Sequence, residues 1–257
     1  NGDDDVTANY DITYVNGTLK VTKKVVTITA NSDTKTYDGT AITLDTPSIT
    51  VEGGGTFTGT PTYTYYQGTN CKGKTLDSAP SNAGTYSVKI HVSEGDTYDE
   101  SESCISVTIN PKEILVSNLV YQGTSKTYNE NTNVSNDFAV SIGNSAGIIN
   151  GDTVEVTYGS AAYNDADAGN NKNILVNNLT LTGDDANNYI LSSNSQSTNG
   201  VINQAIVNVI SNPSNNTYTG TSQTIGVTLP NHVELVSTGS TTEATNAGSY
   251  TAIYKLE

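Results

Sequence analysis

Apolar and polar residues alternate along most of this chain: Leu19/Val21, Val26/Ile28/Ala30, Tyr86/Val88/Ile90/Val92, Ile105/Val107/Ile109, Val154/Val156/Tyr158, Ile225/Val227/Leu229 and Tyr250/Ala252/Tyr254/Leu256. A period of two puts every second side chain on one face of an extended segment, which predicts half-buried strands. Between these runs stand Asn16-Gly17, Glu52-Gly53-Gly54-Gly55, Asn150-Gly151 and Asn199-Gly200. Such clusters tolerate the left-handed backbone of tight turns. No stretch carries a helical period with helix-forming residues, so the pattern predicts an all-β fold, or nearly so, with at most a short helix in each repeat.

Three landmarks recur along the chain. Lys35-Thr36-Tyr37-Asp38-Gly39-Thr40 returns as Lys126-Thr127-Tyr128-Asn129-Glu130-Asn131 and Asn216-Thr217-Tyr218-Thr219-Gly220-Thr221, with the tyrosines 91 and then 90 residues apart. Asn82-Ala83-Gly84-Thr85-Tyr86 returns as Asn246-Ala247-Gly248-Ser249-Tyr250 and more loosely as Asp167-Ala168-Gly169-Asn170. A Gly-Asp turn precedes a tyrosine and a closing strand at Gly2-Asp3 to Tyr10, Gly95-Asp96 to Tyr98 and Gly183-Asp184 to Tyr189. A fixed period of this size marks a tandem array of small modules. Residues 25–111 and 112–204 read as whole modules, 1–24 as the closing segment of a preceding one and 205–257 as the front of a further one. The Asp of Tyr37-Asp38 changes to Asn129 and Thr219 while the tyrosine persists, so Tyr37, Tyr128 and Tyr218, with Tyr86 and Tyr250, are expected to be the structural part of the repeat. Junctions at Lys23-Lys24-Val25, Pro111-Lys112-Glu113 and Asn203-Gln204-Ala205 leave almost no linker. The expected shape is a semi-rigid elongated rod of roughly 30–40 Å per module. Joining Glu257 to Asn1 reads as an uninterrupted module, which suggests head-to-tail completion of one copy by another or a longer array.

Composition narrows the function. Each 90-residue unit can bury only a modest core, and with no Trp, no Met and two Phe, the 16 Tyr supply nearly all aromatic packing. The net charge is −15, and all eleven basic residues are lysine. An acidic chain without arginine repels nucleic acid and anionic membrane surfaces, so neither is an expected partner. No apolar run is long enough to span a membrane. Cys71 and Cys104 fall in one module and either close a disulfide in an oxidising compartment or remain free thiols.

The Thr-Tyr-Asp-Gly-Thr element, the Asn-Ala-Gly-Thr-Tyr element and Asn16-Gly17-Thr18-Leu19-Lys20-Val21-Thr22-Lys23 resemble the YDG and MBG (mostly β-grasp) repeats of bacterial surface proteins. The resemblance covers essentially the whole chain. Residues 112–204 look closer to the YDG type and the flanking modules to the MBG type. It implies small β-sandwich or β-grasp-like modules stacked as the stalk of a secreted or cell-wall-attached adhesin-like protein, extracellular and without catalytic residues. Neighbouring modules or further copies of the chain are the expected partners. A host glycan or host protein is the alternative, for an adhesive module in the same setting.

Candidate chemistry is sparse. Asp3-Asp4-Asp5, Asp96, Asp165, Asp167, Asp184 and Asp185 carry hard oxygen atoms at spacings that suit Ca²⁺. Gly169 falls where a third ligand is wanted, and Asp and Asn cap turns without any ion, so no cofactor is expected and Ca²⁺ is the residual candidate. Tyr63 and Tyr65 share one strand face and Tyr66 the other; they serve either sugar stacking or cross-strand packing. His91 sits on the outward phase of its strand and His232 in a turn of another module. Neither has a triad signature and no Cys/His cluster has metal spacing, so no enzymatic activity is expected. Lys20 and Lys89 alternate with apolar neighbours and should face water, which disfavours a lysine cross-link to Asn or Asp.

Overall fold

The computed structural model describes residues 7–208, 216–224, 229–237 and 239–256. Among these the only helical segments are four 3-10 turns, and the rest of the regular structure is strand. The fold is all-β. The chain forms two compact units, one from Asn1–Tyr121, Val140–Ser160 and Val176–Gln196, the other from Gln122–Ala139, Ala161–Leu175 and Ser197–Glu257. The first unit crosses the repeat boundary at Pro111, so compactness does not follow the 90-residue period.

In the first unit, strands β1 (Val26–Thr29), β2 (Asp33–Thr36), β3 (Ser48–Val51), β4 (Thr62–Gln67), β5 (Thr75–Leu76), β6 (Gly84–Val92) and β7 (Ser101–Asn110) come first. Five of them form one sheet in the order β2-β7-β6-β4-β5. Its centre is the antiparallel β6/β7 pair, in register from Gly84 opposite Ile109 to Val92 opposite Ser101. β2 joins β7 in parallel, and the Tyr37 N–H extends that ladder to the Asn110 carbonyl at 2.8 Å. Val88, Ile90, Val92, Val107 and Ile109 are at most 1% exposed, as their alternating phase requires. Ser87 breaks the alternation: it is fully buried on the polar face because the loop carrying Cys71 covers it, and its Oγ accepts the Cys71 N–H at 2.9 Å. Cys71 and Cys104 form a disulfide, which ties that loop to β7.

The chain continues through β8 (Lys112–Ile114), β9 (Leu119–Gln122), β10 (Ser125–Thr127), β11 (Ala139–Ile142), β12 (Glu155–Thr157), β13 (Ser160–Tyr163), β14 (Gly169–Asn177), β15 (Thr180–Thr182), β16 (Tyr189–Leu191) and β17 (Ser195–Asn203). β8 pairs with β16 in parallel, just as Lys24 bridges in parallel to Tyr98. This is what the Gly-Asp-to-Tyr landmark builds: the residues after the turn return alongside the segment that opens the repeat. Across Pro111 the core is continuous. Tyr37, Ile42, Tyr86, Val88, Ile90, Ile105, Val107 and Ile109 pack in one cluster with Ile114, Ala146 and Tyr189.

The second unit holds most of the four-stranded sheet β10-β17-β14-β13, with β10 and β17 parallel. The Tyr128 N–H donates to Asn203 O at 2.8 Å, repeating the Tyr37–Asn110 bond. Gly200 is fixed by packing: a Cβ there would meet the Thr124 carbonyl at 2.5 Å and Ile174 Cδ1 at 2.6 Å. Short strands β18 (Gln223–Thr224), β19 (Val233–Leu235), β20 (Glu243–Ala244) and β21 (Tyr254–Leu256) follow, paired β18/β20 and β19/β21.

Two expected strands differ. Leu19 and Val21 are 88% and 84% exposed, and no described residue between 10 and 23 lies in a strand; an alternating segment becomes a strand only when a neighbouring strand takes up its backbone N–H and C=O groups. Of Tyr250–Leu256 only β21 is strand, although the Thr251 and Ile253 carbonyls still accept the Thr241 and Val236 N–H groups. The run Ile225/Val227/Leu229 lies largely outside the described residues, as do Gly2 to Asp5.

Candidate functional site

The first repeated turn is built around a lysine. Lys35 Nζ bonds to Asp38 Oδ1 at 2.6 Å and to Thr40 O and Oγ1 at 3.0 and 2.8 Å. The ammonium holds the Asp38 carboxyl well below the usual carboxylate range, helped by hydrogen bonds from Thr40. In the second copy Lys126 Nζ bonds to Asn129 Oδ1 at 2.8 Å and to Asn131 O at 2.5 Å. Lys126 also lies over the Tyr163 ring, 5.3 Å from its centroid. In the third copy the lysine is replaced by Asn216, and Gln223 takes over, its Nε2 donating to Thr217 O and Thr219 Oγ1 at 2.8 and 3.0 Å. Three polar sets thus close one turn. All three copies keep a left-handed residue at its tip, Gly39 at φ 78°, Glu130 at 64° and Gly220 at 73°; Glu130 carries the strain that glycine avoids.

The second landmark also has a geometric cause. The Tyr86 hydroxyl donates to Asn82 O at 2.9 Å and the Tyr250 hydroxyl to Asn246 O at 2.8 Å. Each ring folds back over the intervening glycine, where a Cβ would lie 3.0 Å from the Tyr86 hydroxyl or 3.3 Å from the Tyr250 ring. In the loose copy an ion pair between Lys172 and Asp165 replaces this bond.

The two landmarks meet at a joint in the first unit. The Tyr37 and Tyr189 hydroxyls both donate to Asp152 Oδ2, at 2.8 and 2.6 Å, and the Ile149 N–H donates to the Tyr189 hydroxyl at 2.8 Å. The two rings meet edge to face with centroids 5.5 Å apart, a favoured aromatic geometry. The Ala83 N–H donates to Oδ1 of Asn188 at 2.8 Å, and Asn188 is buried. Gly39 packs so closely that a Cβ would meet Ile149 at 3.0 Å. Burial, and then donation to Asp152, pushes the Tyr37 phenol up to about 12, and the same causes raise Tyr189 further. A phenol raised above its ordinary value of about 10 stabilises the fold fully below that pH. The stabilisation is lost as pH climbs through about 12. A spectroscopic tyrosinate titration should therefore contain a late class whose ionisation coincides with loss of the first unit's near-ultraviolet signal. A fold that survives complete tyrosine ionisation would contradict the joint.

The residues singled out from sequence fall as follows. Tyr37 and Tyr86 are 5% and 8% exposed, whereas Tyr128, Tyr218 and Tyr250 are 37%, 64% and 41% exposed. A repeat tyrosine becomes a core residue only where the following stretch covers it. Asp165 is engaged by Lys172, Asn164 Nδ2 and the Asp167 N–H. Asp185 accepts the Thr153 N–H at 2.8 Å, and Asp184 is exposed. No group of three or more His, Cys, Asp or Glu is placed for a metal among the described residues. Tyr65 packs against the core cluster, while Tyr63 is 39% exposed. Lys89 pairs with Glu102 on the polar face of β6, beside His91; the lysine held against Asn carboxamides is Lys126. Sequence reasoning passed over Asp152 and Asn188, the two acceptors of the joint. Asp152 is signalled only as the end of an Asn-Gly turn, and Asn188 only as the neighbour of a landmark tyrosine.

Comparison with known families matches residues 24–109 to the MBG domain and residues 110–200 to the YDG domain. The chain carries an MBG domain followed by a YDG domain. The joint therefore links the MBG domain, through Tyr37, Gly39 and Ala83, to the YDG domain through Ile149, Asp152, Asn188 and Tyr189. No curated protein and no solved structure matches the chain.

Proposed function

We propose that the chain is a non-enzymatic stalk segment of a secreted bacterial cell-surface protein of the adhesin-like kind, with MBG and YDG domains stacked as a spacer. The observation that carries this reading is the core that runs unbroken through the junction at Pro111. Burying Ile114 and Tyr189 against the MBG sheet removes the freedom a linker would have, and a spacer that must project a distant domain needs such stiffness. The Cys71–Cys104 disulfide supports an oxidising, extracellular compartment. Lysine-only basicity and net charge −15 suit a soluble surface segment that avoids nucleic acid and anionic lipid. Excision of residues 24–200 as one block from the surface protein that carries them tests the reading. The expected result is a shorter distance between the cell and the distal domain with attachment to host cells retained. Lost attachment, with the distal domain still displayed, overturns it in favour of an adhesive module.

A further inference from the structure

We propose that Asn150-Gly151, in the turn that carries Asp152 into the joint, is a self-modification site: the Gly151 amide nitrogen closes on the Asn150 side chain, ammonia leaves, and the altered turn releases the joint. The inference goes beyond the stalk reading and does not depend on it. The turn Ile149-Asn150-Gly151-Asp152 is closed by the Asp152 N–H to Ile149 O at 3.1 Å, with Gly151 left-handed at φ 101°. Asn150 and Gly151 are both exposed. Among the described residues no acceptor takes the Gly151 N–H, and a Cβ built at Gly151 would meet nothing within 4 Å. A nucleophilic nitrogen, a carboxamide carbon on the residue before it and room for a ring between them therefore occur together.

The reaction needs only the chain and water. The Gly151 nitrogen gives its proton to hydroxide and attacks Asn150 Cγ. The new N–C bond closes a succinimide ring, and the bond from Cγ to the side-chain nitrogen breaks, that nitrogen taking up a proton from water and leaving as ammonia. Glycine suits the attack because it has no Cβ to obstruct the approach of its nitrogen. Water then opens the ring at one of its two carbonyls. Opening at the main-chain carbonyl gives isoaspartate, in which the backbone runs through the former side chain; opening at the other gives aspartate. Nothing is oxidised or reduced.

A second Asn-Gly step supplies the contrast. Asn199-Gly200 lies inside β17, which has β10 on one side and β14 on the other. Gly200 is buried, a Cβ there would meet the Thr124 carbonyl at 2.5 Å, and the next N–H, of Val201, is bound to that carbonyl at 2.9 Å. Ring closure at Asn199 must wait for the sheet to open. At Asn150 the modified atoms stand between two residues of the joint. Ile149 and Asp152 carry three of its hydrogen bonds, from the Ile149 N–H to the Tyr189 hydroxyl and from the Tyr189 and Tyr37 hydroxyls to Asp152 Oδ2. Isoaspartate lengthens the main chain between them by one carbon. It also adds a carboxylate beside Asp152 and near Asp185, which accepts the Thr153 N–H, and like charges at such range repel. The turn then no longer presents the Ile149 N–H and the Asp152 carboxylate to Tyr189 together. The joint is thus locked in the new protein and loosens with age, faster as pH rises because the attacking nitrogen must first lose its proton.

The test ages the whole folded chain in mildly alkaline buffer and follows each Asn-Gly peptide by mass spectrometry after digestion, with isoaspartate located by fragmentation. A second sample is aged in denaturant, where both asparagines are unprotected. Asn150→Ser, which lacks the carboxamide, is aged in parallel, and circular dichroism matching that of the parent verifies that it is folded. In the folded chain Asn150 should react within about tenfold of its rate in denaturant and Asn199 at least about a hundredfold below its own, the suppression expected of a reaction that waits on local opening. The aged parent should melt roughly 5 °C or more below the fresh protein, as the loss of several hydrogen bonds predicts, while aged Asn150→Ser keeps its fresh melting temperature. Asn150 as protected as Asn199 overturns the proposal. So does a fully modified chain that melts with the fresh parent, or an equal fall in aged Asn150→Ser; none of these results touches the stalk reading, which rests on the closed joint.

Discussion

Replacing Tyr189 by alanine is expected to lower the stability of the first unit by about 3–5 kcal/mol, the usual cost of deleting a buried aromatic ring, and to do so for the MBG and YDG parts together. Three losses coincide at this residue. The ring leaves a void beside Tyr37, the Ile149 N–H loses its acceptor, and Asp152 loses the shorter of its two phenol donors. Because the core cluster holds residues from both domains, thermal unfolding followed by near-ultraviolet circular dichroism should show one transition shifted down by roughly 10 °C or more. Tyr189→Phe keeps the ring and gives up only the hydroxyl, so a loss of about 1–3 kcal/mol is expected. Two transitions, one of them unmoved by Tyr189→Ala, would mean that the domains fold separately and that the joint is a surface contact.

The strand pattern was legible because it is local. Alternation places Val88, Ile90, Val107 and Ile109 on one face whatever the sheet packs against, and these residues are buried. The lysine-centred turn was legible as a turn, since its left-handed tip and its Asp, Asn or Thr side chains report on backbone geometry within six residues. Its chemistry was less so. Asp38 gives way to Asn129 and Thr219 in the other copies, and the structure gives the reason: any acceptor reachable by a lysine or glutamine side chain closes the loop.

What escaped the sequence depends on contacts between distant segments. Ser87 reads as a solvent-facing position and is buried because a loop is tied over it. Tyr37, Tyr128 and Tyr218 are equivalent in sequence and differ in exposure from 5% to 64%, since the covering atoms come from the next stretch of chain. Leu19 and Val21 alternate as well as Val88 and Ile90 do, yet without a neighbouring strand the same pattern leaves them in water. Periodicity thus records which face is apolar and is silent on whether anything covers it.

The Cys71–Cys104 disulfide is the second large term. The cysteines are 33 residues apart, and a loop of that size is expected to lose about 3–4 kcal/mol of stabilisation when opened, mainly through the freedom regained by the unfolded chain. Cys71→Ser with Cys104→Ser should therefore lower the melting temperature by an amount comparable to that of Tyr189→Ala, and reduction of the parent protein should reproduce the shift. The local consequence separates this bond from a generic staple. Asn70 and Cys71 are both held in the left-handed region, at φ 63° and 51°, which non-glycine residues adopt at a cost, and the Cys71 N–H is the hydrogen-bond partner of a fully buried serine hydroxyl. Opening the bond lets residues 68–74 relax away from the sheet, so amide exchange should accelerate first in that loop and at Ser87, well before the β6/β7 centre. A reduced protein with the parent's melting temperature and unchanged protection at Ser87 would show that backbone hydrogen bonding alone holds the loop.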